Sequence, residues 1–236
     1  CQQGRIVMWA VEVSSPHLRE ARLWVVSYFA KTGSSAASGF PMRTLREVVR
    51  ERQGATDPQQ LGDQIISYLG LEHVRSGSGE LVGFAQRPAN SVKSRSKVFR
   101  RGDVLFGRMR PELNKVYLAE GEVEDGICST EFVVLIALEG VLIPRFLRHV
   151  LASSFVTDHI GRFRGGAALP RVNTSDLLSI SIPVPPLEVQ HRMAEQLQAL
   201  EEELAGLRRR VEALPGLMSE ALSQALVAGI GEMEAV

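Results

Sequence analysis

Apolar residues recur along the last fifty positions with gaps of 4, 3, 4, 3, 4 and 3, at Met193, Leu197, Leu200, Leu204, Leu207, Val211 and Leu214. That spacing keeps one narrow apolar seam on a single side of a helix and predicts pairing with a helix of a second copy or a partner protein, against the alternative of a C-terminal helical hairpin folded back on its own chain, since a helix packed on its own domain shows a wider apolar face. From Leu187 to Leu214 such a helix extends roughly 40 Å. Pro215 and Gly216 predict a stop or kink, and Leu217 to Val227, with Leu217, Met218, Leu222 and Leu226, reads as a second, shorter helix.

Upstream the pattern is mixed. RIVMWAVEV and RLWVVSYF, within the first thirty residues, read as strands, the first also compatible with a helix, and KTGSSAASGF is a loop of small residues. Pro41 to Arg52 has helical spacing through Leu45, Val48 and Val49; Ile65 to Leu71 reads as a strand; and SGSGE at 76–80 is a turn. RRGDVLF joins a turn at Gly102 to a short buried strand, followed by strands at Val116–Leu118 and Phe132–Leu138 around the acidic loop EGEVEDG. Ile143 to Ser153 is an amphipathic helix with Pro144 in its first turn. The expected class is α+β: one mixed α/β domain over residues 1–186, then a coiled-coil-forming helical region over 187–236 with a short terminal helix.

Composition is that of an ordinary globular chain, with 44% hydrophobic and 23% charged residues among 236. The longest apolar run, FVVLIALEGVLI, is too short and too interrupted by Glu139 to cross a bilayer. With no basic-then-apolar leader, a cytoplasmic location is expected, although a chain that opens on Cys1 is open to being an excised or processed piece. Cys1 and Cys128 lack metal-ligand spacing, so neither a disulfide framework nor a zinc site is expected.

The zero net charge conceals a division. Residues 187–236 carry four Arg and nine Glu, leaving the body at +5 and the tail at −5. Within the body, Lys93, Arg95, Lys97, Arg100, Arg101, Arg108, Arg110 and Lys115 face only Asp103 and Glu112 as local acids, beside polar Asn114. A second cluster, GRFRGGAALPR, sets Arg162, Arg164 and Arg171 around a Gly-Gly pair whose bare backbone can approach a phosphate closely. Two basic clusters in a net-basic body point to a phosphate-tracking surface on duplex DNA, against the alternative of a merely solvated face. The expected contact set is Lys93, Arg95, Lys97, Arg101, Arg108, Arg110, Asn114, Lys115, Arg162, Arg164 and Arg171. Arginines suit forked contacts to guanine, and lysines suit point contacts to phosphate.

Catalytic signatures are missing. The only Pro-Pro, at 185 and 186, lacks the Asn/Asp before it and the aromatic after it that hold a target base in amino-methyltransferases, and no Gly-rich dinucleotide loop, Walker lysine or nucleophile elbow occurs. Asp103 and Glu131 lack the Glu-x-Lys companion of nuclease cores and read as turn or cap residues rather than a metal pair, and the five scattered histidines read as surface or core.

The order GDVLFGRMRPELNKVYLAEGE, GICSTEFVVL, FRGGAALPRVNTSDLLSISIPVPPLEVQHRMAEQL and a long helix resembles the specificity (S) subunit of type I restriction-modification enzymes, over roughly residues 41–230. The resemblance implies a target recognition domain that reads half of a split DNA site, and a helical spacer that docks methyltransferase subunits and, in the full enzyme, meets a restriction subunit. It implies a non-catalytic chain, with S-adenosylmethionine held by the methyltransferase. Family members generally carry two recognition domains and two spacers, so one of each resembles a half-subunit that forms a homodimer through antiparallel seams and reads an inverted repeat. Gly102, Asp103, Pro111, Glu131, Gly165, Pro185 and Pro186 match as fold-determining positions, not as base readers. A recognition domain cut from a fused restriction-methylation enzyme, a coiled-coil scaffold for acidic protein partners, and a free-standing enzyme are the alternatives.

Overall fold

The computed structural model describes residues 6–8, 11–13, 39–161 and 171–233. The chain forms two compact units, residues 1–191 and 192–236.

The core of the first unit is a four-stranded sheet in the order β11-β10-β13-β4, formed by β4 (Val49–Glu51), β10 (Val104–Gly107), β11 (Val116–Leu118) and β13 (Phe132–Ala137), all antiparallel. Every residue of β10 and the first four of β13 are buried, because both faces of this sheet are covered. Alternation along the strands sorts them. Leu105, Tyr117, Phe132 and Val134 join Leu69, Phe99 and Cys128 in one apolar cluster. Leu69, Phe99 and Cys128 come from a second sheet, ordered β5-β9-β12-β7: β5 (Ala55–Thr56), β7 (Tyr68–Leu69), β9 (Ser96–Phe99) and β12 (Gly126–Ser129), where only β7 and β12 run parallel. Helix α2 (Pro144–Leu151) packs on β10, β11 and β13 and buries Phe146, Leu147, Val150 and Leu151.

Several expectations hold to within two residues: the turn at Gly102, the strands β10, β11 and β13, and α2 with Pro144 opening its first turn. Others are changed by long-range pairing. The helix expected over Pro41–Arg52 is a single turn, α1 (Leu45–Val48), set between β3 (Met42–Thr44) and β4. β3 pairs with β14 (Ser181–Pro183) and β4 with β13, so the helical gap from Leu45 to Val48 survives for one turn only before β-branched Val49 enters the sheet. Ile65–Leu71 is not one strand. It breaks at Ser67 into β6 (Ile65–Ile66), paired with β8 (Arg87–Pro88), and β7 in the second sheet. Of the N-terminal stretches, the first forms the two-strand pair β1 (Ile6–Met8) and β2 (Val11–Val13), while RLWVVSYF lies outside the described residues.

Two short helices, α3 (Ser154–Gly161) and α4 (Thr174–Leu178), precede β14. The last element, α5 (Leu187–Met233), runs through Pro215 without ending, so the expected separate terminal helix is the distal part of α5. Proline there removes one backbone donor, and on a helix exposed all round water can satisfy the freed carbonyl.

The root of α5 is fastened to the body by Gln190, which is fully buried. Its Nε2 donates to the carbonyls of Val141 (2.9 Å) and Pro185 (2.8 Å), and its Oε1 accepts the N–H of Ile143 (3.0 Å), the residue that caps α2.

Candidate nucleic-acid interface

Strand β10 ends at Gly107, and the chain enters the loop Arg108–Lys115 that carries four of the expected contact residues. Gly107 donates to the Lys115 carbonyl (2.9 Å), which closes the loop at its base. Pro111 starts a 3-10 turn and is buried, while Arg110 and Asn114 bracket that turn, both in the left-handed region (φ 49°). Non-glycine residues held there are uncommon and mark a backbone constrained by its surroundings. The constraints are visible: Asn114 Nδ2 donates to the Ala152 carbonyl at the end of α2, and Lys115 Nζ donates to the Leu71 carbonyl (2.7 Å). Arg110 is exposed at the front of the turn. Arg108 Nε and Asn114 Oδ1 are both buried without a hydrogen-bond partner among the described residues, so this loop leaves a donor and an acceptor unmet.

Arg171, the last residue of the second basic cluster, returns to the same loop. Met109 and Arg171 form an antiparallel bridge, and Val172 donates to the Arg108 carbonyl (2.9 Å). Arg108 in turn donates its N–H to the carbonyl of Glu131 (2.9 Å), in the turn between β12 and β13. Arg171 forks onto the Glu131 carboxylate, Nε to Oε2 at 3.0 Å and Nη2 to Oε1 at 2.5 Å. Arg171, the described residue of the second cluster, therefore meets the Arg108–Lys115 loop at one end of the central strands β10 and β13. Arg171 spends its charge on Glu131 and acts as a fastener of the segment that leads out of residues 162–170. Arg162 and Arg164 lie outside the described residues.

The remaining candidates are more dispersed. Lys93 and Arg95 are exposed on the approach to β9, where Lys93 Nζ donates to the Asn90 carbonyl (3.3 Å). Lys97, within β9, is partly buried and paired with Glu51 (3.1 Å), so its charge is met inside the sheet. Arg100 and Arg101 sit at the opposite end of β10 from Arg108, roughly 13 Å along the strand. There the acidic loop answers them, with Arg100 3.8 Å from Asp125 and Arg101 3.6 Å from Glu124. The density of positive charge expected from the sequence is thus partly neutralised at the Arg100–Arg101 end and concentrated at the Arg108–Lys115 end.

Asp103 and Glu131 take structural roles, as expected. Asp103, 1% exposed, accepts a fork from Arg52 (Nε 2.5 Å, Nη2 2.9 Å) and the N–H of Arg100 (2.7 Å), which holds the Gly102 turn. That carboxylate raises the Arg52 guanidinium above its ordinary value. Among the described residues no group of three or more His, Cys, Asp or Glu is arranged to hold a metal. Cys128 is fully buried, and burial pushes its thiol up to about 12, which leaves it unreactive. His73 is a core residue whose Nδ1 accepts the Gly70 N–H (3.0 Å); burial lowers its imidazole below the ordinary value, Glu72 pulls it up and Arg87 lowers it further. His149 is also buried, 3.0 Å from an Arg148 guanidinium nitrogen.

The seam stands on α5 as the spacing predicts. Leu200, Leu204, Leu207, Val211 and Leu214 are exposed in the single chain, Met193 and Leu197 partly so, and the apolar series continues past Pro215 with Leu217, Met218, Leu222 and Leu226. No helix among the described residues is long and apolar enough to cross a membrane. What sequence spacing missed is the partner of each structural side chain, Arg171 for Glu131 and Arg52 for Asp103, and Gln190 as the clamp at the root of α5. Each pairs across forty or more residues, which leaves no local signal.

The chain is 27% identical over 133 residues to the type I restriction enzyme EcoDI specificity subunit of Escherichia coli, covering 56% of this chain and 29% of that protein. It is 23% identical over 111 residues to the HindI specificity subunit of Haemophilus influenzae, covering 46% and 24%. Among solved structures, the HsdS subunit from Thermoanaerobacter tengcongensis matches with a TM-score of 0.65 and 30% identity, over 78% of this chain and 48% of that one. A structure describing complex assembly and conformational transition of the type I R-M system matches equally well, at 31% identity over 77% of this chain. The chain spans about a quarter to a third of these two curated relatives and about half of the solved chains. Residues 42–213, from β3 through most of the seam, match the type I restriction modification DNA specificity domain, and the chain belongs to that family.

Proposed function

We propose that this chain is a DNA-recognition subunit of a type I restriction-modification system, binding one half of a bipartite duplex site through residues 1–186 and docking methyltransferase subunits through α5. The observation that carries the reading is the junction at Met109 and Arg171, which gathers the Arg108–Lys115 loop and the last residue of the second basic cluster at one end of the central strands. Arg108 and Arg110 are the first candidates for forked base or phosphate contacts. Lys93, Arg95, Lys115, Arg162 and Arg164 extend the footprint, whereas Arg171, Lys97 and Arg101 act chiefly through Glu131, Glu51 and Glu124.

The chain is non-catalytic in this reading. Methyl transfer, with S-adenosylmethionine, belongs to the docked methyltransferase, and cleavage to a restriction subunit. Two copies joined through α5 form a homodimer that reads an inverted repeat, and the protein works in the cytoplasm. Support comes from the family membership and from the exposed seam.

The test is a salt titration of duplex binding by the purified chain. With about five side chains neutralising phosphates, the logarithm of affinity falls against log salt with a slope of about −4.5. Binding that ignores salt, or retention by an acidic polypeptide as strong as by duplex DNA, refutes the reading in favour of a scaffold.

A further inference from the structure

The exposed seam of α5 carries a charge pattern that selects one alignment with a second copy. In heptad terms Leu197, Leu204, Val211 and Met218 occupy a positions, and Met193, Leu200, Leu207 and Leu214 occupy d positions. The flanking e positions are Glu201 and Arg208, and the g positions are Glu203 and Arg210. An antiparallel pair brings a against d, e against e and g against g.

We propose that α5 pairs with a second copy of itself in a single antiparallel register whose two-fold axis passes between Ala205 and Gly206. The inference rests on the homodimer reading above and specifies its geometry. In this register the facing layers are Leu204 with Leu207, Leu200 with Val211, Leu197 with Leu214, and Met193 with Met218, an overlap of about 40 Å. Glu201 faces Arg208 of the other copy and Glu203 faces Arg210, and the two-fold axis repeats both, giving four opposite-charge pairs about the centre.

Neighbouring registers are penalised by the same residues. A slip of one heptad in one direction sets Arg208 against Arg208 and Arg210 against Arg210 across the axis. The opposite slip sets Glu201 against Glu201 and Glu203 against Glu203. Either slip replaces all four attractive pairs with like charges at the centre, the device by which e and g residues fix register. A parallel pair retains only the two contacts between Glu203 and Arg208. The exposed leucines supply attraction without direction, and the Glu and Arg blocks supply the direction.

Cross-linking of the full chain tests the register. Three variants are made in a Cys1→Ser background, Cys128 being buried: Leu200→Cys, Val211→Cys, and both together. Each is treated with a bis-maleimide shorter than the eleven-residue separation of the two positions, about 16 Å along a helix. The expected result is a dimer by sedimentation for the parent, no covalent dimer for either single variant, and a covalent dimer for the double variant. Covalent dimers from the single variants reveal a parallel pair, and a double variant that is dimeric in solution yet never links reveals another register; either outcome overturns the proposal and leaves the homodimer standing. A parent that is monomeric throughout overturns both.

Discussion

Replacing Gln190 with Met tests whether the root of the long helix is held by a specific polar clamp or simply by apolar packing. The side chain is 0% exposed and its amide satisfies three backbone groups: the carbonyls of Val141 and Pro185 and the N–H of Ile143. Methionine preserves length and approximate volume and buries comfortably, so the change isolates the hydrogen bonds. Each neutral buried bond contributes about 1 kcal/mol net, and a backbone group stranded in the interior costs about 1–3 kcal/mol. Three such groups, with partial recovery from burying an apolar thioether, give an expected loss of about 3 kcal/mol. For a chain of this size that corresponds to a fall in melting temperature of about 6–12 °C. Urea unfolding followed by far-ultraviolet circular dichroism, together with scanning calorimetry, measures both. Gln190→Glu should be at least as damaging at neutral pH, because a carboxylate cannot donate to two carbonyls and is buried as a charge. A Met variant within about 1 kcal/mol of the parent refutes the clamp and assigns the junction to packing around Val189 and Ile143.

Two further outcomes are expected. Asp103→Ala removes the acceptor of the Arg52 fork and of the Arg100 N–H; with Arg52 partly solvated, the loss should be about 2–4 kcal/mol by urea unfolding, and a loss below about 1 kcal/mol contradicts the assigned role. For His73 the folded-state value lies below the ordinary imidazole value because the ring is buried, so the unfolded chain takes up the proton first as pH falls. Its contribution is therefore intact above about pH 6.5 and declines below it. His73→Asn, whose Oδ1 can still accept the Gly70 N–H, should show a shallower fall in urea stability from pH 7.5 to about 5, and parallel curves for the two proteins contradict the assignment.

Which parts were legible in the sequence follows from the range of the interactions involved. The gaps from Met193 to Leu214 specify a seam because side chains three and four apart on a helix are neighbours by geometry alone. The Gly102 turn, the buried run of β10 and the start of α2 at Pro144 are likewise local, set by φ preferences and apolar runs within a few residues. Pro215 shows the limit of such rules. A proline in a helical pattern predicts a break, yet α5 continues, since one lost donor on a solvated helix is small beside the turns on either side.

The class of the fold, the basic body with its acidic helical tail, the seam, and the motifs by which the family is recognised are all written in local patterns of the chain. That Pro41–Arg52 is strand, turn and strand follows from long-range pairing alone, because its hydrogen-bond partners in β13 and β14 lie more than eighty residues away. Tertiary contact alone brought Met109 to Arg171, placed Glu131 under the Arg171 fork, and separated the arginines that are met by carboxylates from those left at the loop. Charge can be counted along a chain, but its availability depends on which acidic side chains folding sets within reach of each cation. That depends on closure of long loops around a shared core, which no short window of sequence contains.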